Sequence, residues 1–286
     1  MPKSAFEVSY PHSNESCVVF ASPHSGREYP WSLLRSTVLD DMAIRTSEDA
    51  FVDQLFDCAP QFGATFLKAG APRAFVDLNR SNDELDPALI EGVRRQGHNP
   101  RVASGLGVIP RVVANGRAIY RGKISLVEAR RRLNDYWHPY HDMLQGLLDD
   151  AVNHHGQAVL IDCHSMPHEA VQGIARSGAK RPEIVLGDRF GAAAAGDVVD
   201  RVEAAFASAG FIVTRNAPFA GAYVTQAYGR PTRGQHAVQV EIDRAIYMDE
   251  SLIRPSAHFA DVQRTLRGVI AEISQIGQER MPLAAE

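Results

Sequence analysis

The chain is short of three things. Of its 286 residues only three are cysteine, Cys17, Cys58 and Cys163, an odd number without regular spacing. A disulfide framework is therefore not expected, and a reducing compartment, the cytoplasm, is the expected setting. No run approaches the ~18 apolar residues that a membrane span requires. Met1 to Tyr10 lacks both the basic and the apolar region of a secretory leader, so no membrane partner is expected. Basic residues are not in excess either, with 30 Lys and Arg against 34 Asp and Glu. Nucleic-acid binding calls for a strongly basic face, so that class gives way to a small polar substrate.

What is present is an ordinary globular composition, 45% apolar and 22% charged. Domains average roughly 150 residues, but α/β folds often run to about 250 as one unit, so a single domain spanning 1–286 is expected. Short β-branched apolar runs alternate with longer amphipathic stretches, which predicts an α/β fold with helices flanking a sheet. The expected strands are Cys17–Ala21, Thr65–Lys68, Ala74–Asp77, Val159–Cys163, Glu183–Leu186, Phe211–Thr214 and Val238–Ile242. Cys17–Ala21 and Val159–Cys163 are apolar almost throughout, which places them at the sheet centre, covered on both faces. The expected helices are Glu48–Ala59, Ser125–Val152, Asp197–Ala209 and Phe259–Ile276. Ser125 and Glu128 have the spacing of a capping box. The stretch from Ser81 to Asn115, rich in Gly, Pro and charge, is expected to run over the surface.

Ligands of open α/β sheets bind beyond the carboxyl ends of the strands, so polar residues just after buried strands carry functional weight. Ser22-Pro23-His24-Ser25-Gly26 follows the first central strand, and Asp162-Cys163-His164-Ser165-Met166-Pro167 closes the other. Each puts a histidine at a strand end. A catalytic zinc commonly takes two imidazoles and one carboxylate and leaves a position for water. The carboxylate would come from Glu48 or Asp49, at a helix start where neighbouring side chains diverge by about 100° and only one reaches the metal. Either acid could equally be a favourable charge at a helix N-terminus.

Glu241 interrupts the apolar run Ala237 to Ile242. A buried carboxylate is costly unless it is paired or functional. It is read as the general base of a metal-assisted hydrolysis, or else as a residue turned to solvent or paired with Arg244. Arginines complete the set. Arg73 precedes the expected strand Ala74–Asp77, Asn79-Arg80 follows it, and Arg121 lies before Gly122. Guanidinium forks bind carboxylates bidentately and imply an anionic substrate. Arg94, Arg95, Arg130 and Arg131 are read as surface charges.

Taken in order, Pro23-His24-Ser25-Gly26, Glu48 to Asp53, Phe75 to Arg80, Asp162 to Pro167 and Gln239-Val240-Glu241 resemble the motifs of the N-formylglutamate amidohydrolase family. Tyr120-Arg121-Gly122-Lys123 and Tyr247-Met248-Asp249-Glu250 resemble further segments of it. The resemblance implies a zinc-carboxypeptidase-like fold and a hydrolase that uses zinc, or another divalent metal, to cleave N-formyl-L-glutamate to formate and glutamate, late in a route of histidine degradation. It implies His24 and His164 as metal ligands with Asp49, or alternatively Glu48, as the acidic one. It implies Glu241 as general base and Arg80 as the arginine for the substrate carboxylate. Asn79, Arg73, Arg121 and Ser165 are further substrate-binding candidates from their own places in the sequence. Two other functions are carried beside it: a cysteine or serine hydrolase using Cys163 or Ser165, and a carboxylate-binding protein without catalysis. Whether the protein is a monomer or a homo-oligomer is not legible in the sequence.

Overall fold

The structure, a computed structural model, describes residues 4–94, 99–172 and 181–278. The main sheet contains β1 (Phe6–Ser9), β2 (Val18–Ser22), β3 (Thr65–Ala69), β4 (Ala158–Met166), β5 (Ile184–Gly187), β6 (Val213–Arg215) and β7 (Gln235–Asp243). Their order across it is β1-β3-β2-β4-β7-β5-β6. The run β3, β2, β4, β7 is parallel, whereas β1 pairs antiparallel with β3 and β5 antiparallel with β7. The result is the mixed α/β sheet flanked by helices that was expected. β4 is the middle strand and β2 its neighbour, as their nearly unbroken apolar sequences predicted.

Strand alternation divides the core and prepares the site. On β4, Val159, Ile161 and Cys163 turn to one face and pack with Phe206 and Ile270, from the helices Gly196–Ser208 and Phe259–Ser274. Ala158 and Leu160 turn to the other face and pack with Tyr140, Leu144 and Leu148 of the helix His138–His155. With a period of two, that second face continues along β4 as Asp162 and His164, and along β7 as Gln239 and Glu241 after Ala237. The apolar layer ends there. The polar residues that succeed it sit at the carboxyl ends of the parallel strands, where a ligand can reach them.

Three expected elements differ. Ala74–Asp77 is not a strand but a turn begun at Pro72, whose carbonyl accepts from Phe75 N at 2.9 Å, while Asp77 N donates to Val108 O at 2.8 Å. The proline fixes the turn, and the Ser81–Asn115 excursion supplies the partner a strand would have needed. The expected helix Glu48–Ala59 is reduced to Val52–Leu55, because Phe51 is left-handed (φ 67°); Asp49 N donates to His24 O at 3.0 Å. The long helix from Ser125 is interrupted by a π-helical segment, Leu133–Trp137, between Leu126–Arg132 and His138–His155. Its cap is the expected one, Ser125 Oγ accepting from Glu128 N at 3.1 Å. In the π segment, Trp137 Nε1 donates to Arg80 O at 2.9 Å and so braces the site from behind. Arg94, Arg130 and Arg131 are exposed as expected; Arg95 lies outside the described residues.

His141 braces the same segment. Its Nε2 donates to Leu78 O at 3.0 Å and Tyr228 Oη donates to its Nδ1 at 2.8 Å, an arrangement that requires the neutral ring. Burial pulls its pKa down to about 3; the Leu78 carbonyl opposes the shift and His138 adds to it. Between that value and the ordinary ~6.5, the unfolded chain binds a proton that the folded chain refuses. Stability therefore falls as pH drops through this window, by about 2 kcal/mol at pH 5 from this group alone. His141→Gln is expected to be less stable at pH 7 but to lose less between pH 7 and 5. Denaturant midpoints that decline in parallel for both proteins would rule this out.

Candidate active site

The loop after β2 is pinned from several sides. Ser22 Oγ donates to Ser25 Oγ at 2.8 Å. A Cβ on Gly26 would lie 2.1 Å from Ala71 O, so only glycine permits the close approach of the two chain segments there. This turn aims His24 toward Asp49, whose backbone it also holds. His164 and Glu241 are opposite one another in the β4 and β7 register. Residues far apart in sequence thus meet at one end of the sheet.

His24 and His164 face each other with ring centroids 4.7 Å apart. Asp49 Oδ2 lies 3.4 Å from His24 Nδ1 and 2.8 Å from His164 Nδ1. All three residues are buried, and one donor atom from each lies within 4.8 Å of the others. His24 Nε2 donates to Asp77 Oδ1 at 2.7 Å, which fixes the tautomer and leaves Nδ1 a bare, buried lone pair without a hydrogen-bond partner. A lone pair aimed at a carboxylate is repulsive unless a cation lies between them. Carboxylates behind ligating imidazoles are the usual means of fixing tautomer and ring orientation.

His164 has the corresponding support on its far side. Asp162 Oδ2 and Asn79 Nδ2 both stand 3.1 Å from its Nε2, although Asp162 is not well aligned for a hydrogen bond. Burial works against a charged His164 ring, but Asp162, Asp49 and Glu241 outweigh it and hold its pKa well above the usual histidine value. Burial likewise works against the Asp49 carboxylate, yet the hydrogen bond from His164 and the neighbouring His24 ring keep it well below the usual range. The proton on His164 Nδ1 occupies the position a cation would take. The three donors, two nitrogens and an oxygen, fit a divalent metal with open positions.

Glu48 is turned away. Its carboxylate accepts from Tyr29 Oη at 2.6 Å and from Arg45 Nε at 3.0 Å and Nη2 at 3.1 Å. Asp49 Oδ1 accepts from Arg244 Nη2 at 3.0 Å, leaving Oδ2 for the histidines. Glu241 faces the same space and accepts from Gln239 Nε2 at 2.9 Å. Burial pushes its pKa up to about 7, with His164 and Arg73 pulling down and Asp49 and Asp162 pushing up. It does not pair with Arg244, which is committed to Asp49 instead.

These residues open into a cleft of about 790 Å³, lined also by Asn79, Arg73, Arg80, Ser165, Arg244 and Arg101. Arg73 Nε donates to Asp77 Oδ2 at 2.9 Å. Arg80 Nε and Nη1 donate to the carbonyls of Leu106 and Asn79. Arg121 is not brought to the site. Its neighbour Tyr120 turns inward, with its oxygen accepting from Arg132 Nη1 at 2.7 Å, and Arg121 is left exposed. Cys163, on the opposite face from His164, packs in the core, where burial and Asp162 push its thiol pKa well up. Ser165 Oγ accepts from Arg244 Nε at 3.1 Å and has no histidine as base. The nucleophile arrangement considered for Cys163 or Ser165 is absent from the described residues.

Sequence reasoning missed Asp77, Asp162, Gln239, Arg244 and Arg101 as site residues. A signal existed for two of them: Asp162 lies two residues before His164 on one strand face, and Asp77 sits inside the motif that ends in Asn79-Arg80. The excursion Ser81–Asn115 also does more than cross the surface, since its second half forms a wall of the cleft.

The family model of N-formylglutamate amidohydrolase matches residues 16–248. The chain belongs to this family. Among its relatives are N-formylglutamate deformylases of Pseudomonas aeruginosa, 31% identical with 90% of each chain covered, and of Pseudomonas putida, 27% identical with 92% of this chain and 93% of that one covered. The crystal structure of N-formylglutamate amidohydrolase from Ralstonia eutropha superposes with a TM-score of 0.88 at 32% identity, covering 95% of this chain and 97% of that one. A gene product of Agrobacterium tumefaciens, 17% identical with a TM-score of 0.64 and 97% of each chain covered, shares the fold. Among the described residues no helix is long and apolar enough to cross a membrane.

Proposed function

We propose that this member of the amidohydrolase family, acting as one catalytic domain in the cytoplasm, cleaves the formyl amide of N-formyl-L-glutamate or a closely related N-acyl acidic amino acid. The products are formate and the free amino acid, as in the last step of a route of histidine degradation. His24, Asp49 and His164 would hold the metal, for which zinc suits the N, N, O donor set. The observation that carries this reading is the orphaned Nδ1 of His24, buried and pointed at Asp49. When bound, the metal polarises the amide carbonyl and acidifies water.

The remaining work belongs to the protein. Glu241 takes a proton from the attacking water and returns it to the amide nitrogen as the C–N bond breaks, so a neutral amine can leave. A carboxyl with its pKa near 7 suits both transfers, and Gln239 holds Oε1 in place meanwhile. Asp77 orients the His24 imidazole, Asn79 bonds that of His164, and Arg244 fixes which oxygen of Asp49 faces them. Arg80, buried and bonded only to neutral carbonyls among the described residues, is left to pair with a substrate carboxylate. A carboxylate-binding protein without catalysis would have no use for Glu241, a half-buried acid facing the cleft with its pKa pushed up to about 7.

Steady-state kinetics on N-formylglutamate, N-formylglutamine and N-formyl-leucine test the reading. The first is expected to react best, because a neutral side chain leaves a guanidinium uncompensated. Arg80→Lys retains the charge but loses the planar fork, and is expected to lower kcat/KM roughly tenfold or more. Equal kcat/KM across the three substrates would remove N-formylglutamate as the substrate.

A further inference from the structure

Four guanidinium groups line the cleft, and they divide by what they already hold. Arg73 is balanced by Asp77, and Arg244 by Asp49. Both neutralise carboxylates that belong to the metal centre, so neither brings a free charge to a ligand. Arg80 and Arg101 differ: among the described residues neither forms an ion pair. Arg80 spends Nε and Nη1 on two neutral carbonyls. Arg101 extends from the short helix Pro100–Ala103, is exposed at the cleft, and makes no side-chain hydrogen bond among the described residues.

The nearby acids are engaged elsewhere. Asp77 is tied to His24 and Arg73, and Glu84 accepts from Ser81 N and Asn99 Nδ2. Burial draws the Arg80 pKa down; Asp77 and Glu84 oppose this, while Arg73 and Arg101 add to it, so the positive charge of Arg101 is felt at Arg80. Arg80 and Arg101 repel one another in the free protein and form no ion pair among the described residues, and an anionic ligand that reaches both relieves that repulsion.

Their depths differ too. Arg80 is 7% exposed and follows Asn79, which touches His164, so it stands beside the metal centre. Arg101 stands at the rim. An N-acyl dicarboxylic amino acid presents its α-carboxylate close to the scissile amide and its side-chain carboxylate farther away along a methylene chain. We propose that Arg101 is the specificity residue that binds this distal carboxylate, while Arg80 takes the α-carboxylate. The assignment rests on the function proposed above and goes beyond it in dividing the two anionic groups between two residues.

The test compares wild type with Arg101→Gln on N-formylglutamate and N-formylglutamine. Losing one charge-assisted hydrogen bond is expected to lower kcat/KM on N-formylglutamate roughly ten- to a hundredfold, mostly through KM. On N-formylglutamine the change is expected to stay within about threefold, since no charge was being read there. Arg101→Glu should depress N-formylglutamate further and improve N-formyl-lysine, which a general loss of structure would not do. Equal losses on both acidic and neutral substrates, or no loss on either, would overturn the assignment. If wild type itself does not distinguish the two substrates, the proposed function falls. If it does, and the preference survives Arg101→Gln, only this assignment falls.

Discussion

Glu241→Gln is expected to bind metal as well as wild type does and to turn over at least ~100-fold more slowly, the low end of what a positioned general base contributes. The substitution keeps the shape and the hydrogen-bonding reach of the side chain but removes the group that accepts a proton. Glu241 is not among the three donors that converge, so metal content should be unaffected. It stands across from His164 in the strand register, close enough for each group to shift the pKa of the other. KM is expected to change little, because the lost interaction belongs to the transition state. Metal analysis together with kcat separates the possibilities: loss of metal would make Glu241 a ligand, and unchanged turnover would make it structural.

The parts of this site that were legible in the sequence are those set by local pattern. Val18 to Ser22 and Ala158 to Met166 are buried at every position, and an apolar run ending in a histidine marks a covered strand with a polar residue at its carboxyl end. Glu241 was visible for the opposite reason, as a charge inside such a run. What could not be read are the partners, which depend on packing. Arg244 bonds Asp49 across 195 positions of sequence, and nothing near either residue announces the other. Arg101 is an ordinary charged residue in an irregular stretch until the fold lays that stretch along the cleft. The short edge strand β1 escaped notice because four residues of weak alternation carry little signal. The misread helix at Glu48–Ala59 is instructive in another way. Its apolar spacing was helical, but the left-handed Phe51 falls inside the expected span and leaves only the short turn Val52–Leu55 after it.

On the proposed function, Asp49 rather than Glu48 serves the metal, and this can be tested directly. Asp49→Asn is expected to leave protein with metal well below one equivalent and kcat lowered on the order of a thousandfold or more, since a metal acting as Lewis acid contributes several kcal/mol to the barrier. The neutral amide gives up the negative charge that offsets the cation, while Arg244 and the two histidines remain around it. Glu48→Gln, one residue earlier, is expected to keep its metal and most of its activity. The Glu48 carboxylate is occupied by Arg45 and Tyr29, and Arg45 is partly solvated, so the loss is one of local stability worth about 1 kcal/mol. Metal stoichiometry after purification without chelator, measured beside a thermal melt for each variant, distinguishes ligand loss from unfolding. Should Glu48→Gln lose the metal while Asp49→Asn retains it, the assignment of the two acids is reversed, and the orphaned His24 Nδ1 must face a different partner in the working enzyme.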